Sequence, residues 1–298
     1  MPAGRFGRLL TAMVTPFDDD GALDLDAAAA LARWLVEHGS DGLVVSGTTG
    51  EGPVLSDEEK LDLFAAVAGA VDVPVIAGTT GNNTAHDVEI TERAVATGVD
   101  GILAVCPYYS RPGQSGIRAH LAAIAAATTL PVIVYDIPVR SGRRIEAATL
   151  LSLAGEHANV LAVKDASGDL FGAARLVAAA PAGFEVYAGD DALLLPFLSV
   201  GAVGVISVAS HWCGAEMGRA IDLFFKGDLS GSLAVHDGCL ESFSFESSER
   251  WPNPLPAKAV LRALGVRVGQ CRLPLGVADA ELDAAARAVA AGFPALHG

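Results

Sequence analysis

Leu130-Pro131-Val132-Ile133-Val134-Tyr135 decides the reading of this chain. A proline stands before an unbroken β-branched run, and the run ends at a phenol. The same opening occurs earlier as Val73-Pro74-Val75-Ile76. Short, continuous apolar runs mark strands buried on both faces, as parallel strands are. Working outward, strands are expected at Leu9–Val14, Leu43–Ser46, Pro74–Ala77, Gly101–Val105, Pro131–Tyr135, Val160–Lys164, Glu185–Gly189 and Val203–Ser207. Ala/Leu-rich helical stretches alternate with them. One is expected over Asp26–His38 with Asp26 as N-cap, and one from Ser56 to Ala70, where Ser56 and Glu59 form a capping box. Others fall at Thr84–Gly98, Ile117–Ala127, Glu146–Gly155, Leu170–Ala180, Ala192–Ser199 and Ala215–Phe225.

A βα unit takes about 30 residues, and the chain shows eight in succession. Eight units predict a closed (β/α)8 TIM barrel over residues 1–225. A doubly wound open sheet is the competing α/β arrangement, but no G-x-G-x-x-G fingerprint occurs. Beyond residue 225 the strand pattern stops. Residues 226–298 read as a C-terminal helical appendage, with helices near 229–242, 256–264 and 280–291.

Composition excludes several function classes. With 298 residues, 51% hydrophobic and 18% charged, the chain is not a disordered one. Its net charge of −15 repels phosphate backbones, so no nucleic-acid partner is expected. No apolar stretch approaches the roughly 20 residues of a membrane span. The apolar run Leu9–Val14 follows Arg5 and Arg8 but lacks a small-residue cleavage site, so it reads as a first strand rather than a signal peptide. Cys106, Cys213, Cys239 and Cys271 are far apart, without C-x-x-C, and read as reduced, buried thiols of a cytoplasmic protein. The seven histidines form no metal-binding motif, and no metal or cofactor is expected.

In a barrel of this kind, reactive groups sit at the C-terminal ends of strands. That rule selects Gly47-Thr48-Thr49-Gly50-Glu51, Tyr108-Tyr109, Tyr135, Arg140, Lys164, Gly189-Asp190-Asp191 and Ile206. Lys164 ends a dry strand. It is either an ion pair with Asp165 or Asp191, a snorkelling side chain, or an amine whose burial lowers its pKa for nucleophilic attack on a ketone. Tyr135 is either a satisfied core aromatic or a proton relay beside that lysine. The Gly-flanked Thr48-Thr49 turn is either a tight turn or a backbone cradle for a carboxylate. Arg140 is either solvated or a bidentate carboxylate clamp.

The ordered set G-T-T-G-E (47–51), P-Y-Y-S-R-P (107–112), Y-D-I-P-V-R-S-G (135–142), V-K-D-A-S-G-D (163–169), G-D-D (189–191), G-V-I-S-V (204–208), P-N-P-L-P-A-K (252–258) and R-L-P (272–274) resembles the dihydrodipicolinate synthase / N-acetylneuraminate lyase family over essentially the whole chain. The resemblance implies class I aldolase chemistry: Lys164 forms a covalent Schiff base with pyruvate, without a cofactor. It further implies a proton relay of Tyr135, Thr49 and a Tyr109 from a neighbouring subunit. Thr48 and Thr49 would hold the pyruvate carboxylate, with Gly189 and Ile206 placing carbonyls near the site. A homotetramer built as a dimer of dimers follows from the same likeness. Within the family, arginine at position 140 implies aspartate 4-semialdehyde as the second substrate, in diaminopimelate and lysine biosynthesis. The alternatives are a related pyruvate aldolase, of the N-acetylneuraminate lyase or 2-keto-3-deoxy sugar acid type, and a non-catalytic pyruvate or amino-acid sensor. Two departures stand out. Asp57, Lys60 and His86 occupy places where lysine-sensitive members carry other side chains, although Asn82 and Tyr108 remain, which argues against lysine inhibition. Ser210-His211-Trp212 puts a bulky Trp where the family carries small and amide residues, close to the expected mouth.

Overall fold

The structure, a computed structural model, describes residues 4–246, 248–293 and 296. Eight strands, all parallel and in sequence order, close into a barrel. They are β1 (Leu9–Ala12), β2 (Gly42–Val45), β3 (Val75–Gly78), β4 (Gly101–Val105), β5 (Val132–Asp136), β6 (Val160–Asp165), β7 (Glu185–Ala188) and β8 (Gly204–Ser207). Each crossover carries helix: α1 (Leu25–Glu37), α2 (Asp57–Ala68), α3 (Thr84–Ala94), α4 (Gln114–Ala126), α5 (Pro138–Ser141), α6 (Ala147–Glu156), α7 (Leu170–Ala179) and α8 (Leu194–Ser199), and α9 (Ser210–Lys226) follows β8. The expected strands all form, with ends displaced by up to two residues.

The Ser56–Glu59 capping box at α2 is present in both directions. At α1 the cap is Asp24 rather than Asp26. The Asp24 carboxylate accepts from Ala27 N at 2.9 Å, so the helix starts one residue early, and Asp26 lies in its first turn. Helix α9 starts at Ser210, earlier than expected, with a non-helical kink at Cys213. The expected helix over 229–242 is two, α10 (Leu229–Asp237) and α11 (Leu240–Phe245), broken at Gly238-Cys239. After them come α12 (Leu255–Ala263) and α13 (Ala280–Ala290). Positions 247, 294, 295, 297 and 298 of the appendage fall outside the described residues.

Two apolar layers hold the barrel. Leu10, Val44, Ile76, Leu103, Ile133, Ala162 and Ile206 fill its interior. The outer strand faces meet the helices in a second layer that continues into the C-terminal helices through Trp212, Phe243, Val260 and Leu282. The appendage therefore shares a core with the barrel.

One irregularity aims the site. Between β5 and β6 the register slips: Val132 faces Val160, but Ile133 faces Ala162. Leu161 is an extra residue in β6. Because side chains alternate in strands, an extra residue moves every later side chain to the other face. Val160 and Val163 accordingly join the outer layer, and Ala162 joins the interior. Lys164, two residues beyond Ala162, points inward, paired with Tyr135.

Candidate active site

Lys164 and Tyr135 are neighbours across β6 and β5, and the Lys164 Nζ lies 4.5 Å from the centre of the Tyr135 ring. Both side chains are buried, at 5% and 4% exposure. Burial disfavours the ammonium and brings the Lys164 pKa down to about 8. Asp191 and Glu246 oppose that shift, and Arg140 adds to it. At pH 7 a pKa near 8 leaves about one amine in ten free, against about one in three thousand for a solvated lysine. Burial pushes the Tyr135 phenol up to about 12, against Arg140's charge and a side-chain hydrogen bond with Thr48. Tyr135 is thus a neutral donor held beside a partly free amine.

The turn after β2 carries the threonines. Ser46 and Glu51 bracket it with left-handed backbones, at φ 58° and 54°. Neither is glycine, so side-chain contacts must hold the turn. Glu51 supplies them. Its Oε1 lies 2.7 Å from the Lys258 Nζ, and its Oε2 accepts from Arg272 N at 2.9 Å. Lys258 also donates to Gln270 O at 2.9 Å, and Arg272 binds Glu59 and the carbonyls of Gly21 and Val54. The two threonines face different partners. Thr48 reaches Tyr135. The Thr49 hydroxyl, expected in the relay, accepts from Asn253 Nδ2 at 3.0 Å.

A cavity of about 220 Å³ lies between this turn and β5, lined by Ser46, Thr48, Thr80, Tyr108, Tyr135 and Arg140 among others. A larger one of about 700 Å³, among α9, α10 and α13, contains none of the selected groups. Arg140 sits exposed at the rim on the single-turn helix α5 rather than in a loop. Gly189 closes on the β6 end: a Cβ there would stand 2.7 Å from the Ala166 Cβ, so the approach needs glycine. Ile206 is buried inside the barrel. Tyr109 is 90% exposed at φ 69° and lines no part of this cavity.

Trp212 is not at the mouth. It is 1% exposed, donates from Nε1 to Ser242 Oγ at 2.9 Å and meets the Phe245 ring edge-on, so its bulk anchors α11. His211 is buried as well, bridging Val14 N and Val208 O, and burial lowers its pKa to about 4. Asp57 and His86 pair at 2.8 Å beside a separate cavity of about 290 Å³ that Lys60, Asn82 and Tyr108 also line. All four cysteines are buried and free, and burial pushes Cys106 up to about 11. Among the described residues no helix is long and apolar enough to cross a membrane, and no cluster of three His, Cys, Asp or Glu is placed to hold a metal ion.

Asn253 and Lys258 stand out in the sequence only as parts of the P-N-P-L-P-A-K motif, and Glu246 lies in no motif. A lysine between Ala257 and Ala259-Val260 is a local signal for a buried cation. Glu246 carries no such signal.

A closed (β/α)8 barrel with a desolvated lysine amine at the C-terminal end of a strand is the framework of a lyase of the class I aldolase type. The chain belongs to the dihydrodipicolinate synthetase family, whose model matches residues 5–291. It is 52% identical over 275 residues to the 4-hydroxy-tetrahydrodipicolinate synthase of Moorella thermoacetica, covering 91% of this chain and 92% of that protein. Identity to the Bacillus subtilis enzyme of that name is 44%, over 91% and 93% of the two chains. A crystal structure of a dihydrodipicolinate synthase from Bacillus anthracis superposes with a TM-score of 0.93 at 40% identity, covering 98% and 99%. The Cyanidioschyzon merolae enzyme, solved with lysine bound, gives 0.93 at 43%, covering 97% and 99%.

Proposed function

We propose that this protein is a 4-hydroxy-tetrahydrodipicolinate synthase, joining pyruvate to aspartate 4-semialdehyde through a Schiff base on Lys164. The observation that carries this reading is the buried Lys164 amine, its pKa brought down to about 8 by burial and its Nζ 4.5 Å from the centre of the Tyr135 ring. The free amine adds to the pyruvate C2 carbonyl, and the carbinolamine loses water to give the protonated imine. That imine is the electron sink: loss of a C3 proton gives an enamine, whose carbon attacks the aldehyde. The adduct's own amine then adds to the imine carbon, closes the ring and expels the Lys164 amine.

Each proton movement needs a group that both gives and accepts. Tyr135, neutral and hydrogen-bonded to Thr48, fits that role, so the relay runs through Thr48 in place of Thr49. Thr49, fixed by Asn253, keeps the turn in shape so that its backbone N–H groups meet the pyruvate carboxylate. Arg140 at the rim suits the carboxylate of the incoming semialdehyde. Gly189 and Ile206 border the reacting end of the barrel. Tyr109, exposed with a strained backbone, fits insertion into a second copy's site, which supports a homo-oligomer; a dimer of dimers is the assembly we assign. The reduced thiols and the small-metabolite chemistry suit the cytoplasm.

Borohydride trapping with pyruvate tests the Schiff base: a covalent adduct is expected, lost in Lys164→Ala. Turnover with both substrates tests the acceptor. Arg140→Ala leaves pyruvate trapping intact and raises the KM for the semialdehyde by tenfold or more, as the loss of about 1.4 kcal/mol or more of charge-assisted binding requires. Unchanged semialdehyde turnover in that variant would refute the acceptor assignment.

A further inference from the structure

Two buried carboxyls stand near Lys164, and the chemistry above uses neither. Asp191 follows β7. Its Oδ2 accepts from Val208 N at 2.9 Å and Ala209 N at 2.8 Å, and its Oδ1 is buried without a donor. Glu246 directly follows α11, which packs against the turn after β7 that begins at Asp191, and this brings the two carboxyls together. Its Oε2 is also buried without a donor. Two carboxylates have only acceptors, so they can hydrogen-bond each other only if one carries a proton.

We propose that Asp191 and Glu246 share a single proton, held on Glu246, and that this singly charged pair is a positioning device which sets how readily the Lys164 amine is freed for pyruvate. The inference rests on the Schiff-base reading of Lys164. The surroundings favour a neutral Glu246. Burial drives its carboxyl well above the usual carboxylate range, and the charges of Asp191 and Asp190 drive it further. Lys164 feels both Asp191 and Glu246, and Arg140 acts on it from the other side. From α9, His211 is kept neutral by burial, and burial likewise keeps Cys213, which contacts the Cys239 thiol, in its thiol form. Lys164 is therefore the nearby cation, and its free-amine fraction depends on whether it faces one negative charge or two. A second negative charge holds more of it as ammonium, and a single one leaves more of the amine free for attack.

The test is the rate of imine formation with pyruvate, trapped by borohydride, as a function of pH, with infrared spectroscopy of the resting enzyme. Glu246→Gln keeps a donor toward Asp191 and changes no charge if Glu246 is neutral, so the rising limb of the profile stays at the wild-type pH. Asp191→Asn removes the remaining charge and moves the limb to lower pH by about one unit, a roughly tenfold gain in free amine below it. The wild type shows the carbonyl stretch of a protonated carboxyl, shifted by ¹³C-labelling of glutamate, lost in Glu246→Gln and retained in Lys164→Ala. A Glu246→Gln limb displaced as far as that of Asp191→Asn, an unmoved Asp191→Asn limb, or no glutamate-assigned band overturns the shared proton. Absence of any trapped adduct in the wild type would instead overturn the Schiff-base reading, and the infrared arm still decides the protonation of Glu246.

Discussion

Lys258→Met removes the cation beneath the Gly47–Glu51 turn while nearly conserving side-chain volume. Lys258 is 0% exposed, and its Nζ contacts Glu51 at 2.7 Å and Gln270 O at 2.9 Å. Without it, Glu51 remains in the interior with one oxygen bonded to Arg272 N and the other facing a methyl group. Breaking a buried pair from one side costs about 3–5 kcal/mol, because the other charge is left uncompensated. Unfolding entropy of about 2.1 cal/mol/K per residue, over the whole chain, gives roughly 0.6 kcal/mol/K. Thermal unfolding followed by circular dichroism should show the Tm lowered by roughly 5–8 °C. The same variant should raise the KM for pyruvate more than it lowers kcat, because under the proposed function the disturbed turn cradles the substrate carboxylate and does not carry the amine. Glu51→Gln with Lys258→Met removes both charges, and the double variant should recover about 2 kcal/mol or more relative to the summed single losses. A Lys258→Met protein whose Tm lies within a degree or two of wild type, or single losses that simply add, would refute the idea that this pair holds the turn.

Lys164 is held below its solution pKa, so the fold bears the cost of a buried cation below about pH 8, and stability rises with pH from there to the unfolded value near 10.5. Lys164→Met should therefore abolish imine trapping yet stabilise the protein at pH 7 by on the order of 3 kcal/mol, an advantage that shrinks from about pH 8 upward and is gone above about pH 10.5 in parallel melts. Thr48→Val removes the hydroxyl that meets Tyr135 and should cut kcat by about 10²-fold, whereas Thr49→Val removes the partner of Asn253 Nδ2 and should act mainly on Tm and pyruvate KM; the reverse pattern in steady-state kinetics would return Thr49 to the relay. If Tyr109 serves a neighbouring subunit, mixing inactive Tyr109→Phe with inactive Lys164→Ala restores activity, because one mixed site then has both groups intact. No restoration after subunit exchange places Tyr109 outside the relay. L-lysine should leave turnover unchanged in inhibition assays, because the paired Asp57 and His86 side chains occupy the edge of the cavity that Asn82 and Tyr108 also line.

Much of the molecule follows from local patterning. The eight strands, the crossover helices and the Ser56–Glu59 cap each arise from residues close together in the chain, and hydrophobic periodicity reports such elements directly. The position of Lys164 at a strand end, with Tyr135 one unit earlier, followed from the same counting. The Asp26 cap and the single helix over 229–242 did not form as expected, because several residues compete for a helix end and side-chain contacts decide among them.

What the sequence by itself determined is the order of elements and which side chains stand at the C-terminal rim. Tertiary structure decided which way they face. Counting alternate residues from Val160 would turn Lys164 outward; the extra residue Leu161, visible only once β5 and β6 pair, turns it inward beside Tyr135. The division of labour between Thr48 and Thr49 depends on Asn253, and the turn's shape on Lys258 and Arg272, all from the distant C-terminal region. The pairing of Asp191 with Glu246 joins the end of β7 to the end of α11. None of these contacts has a local signature, because orientation and long-range pairing are settled by how barrel and appendage close on one core, whereas element formation is settled within a few residues of chain.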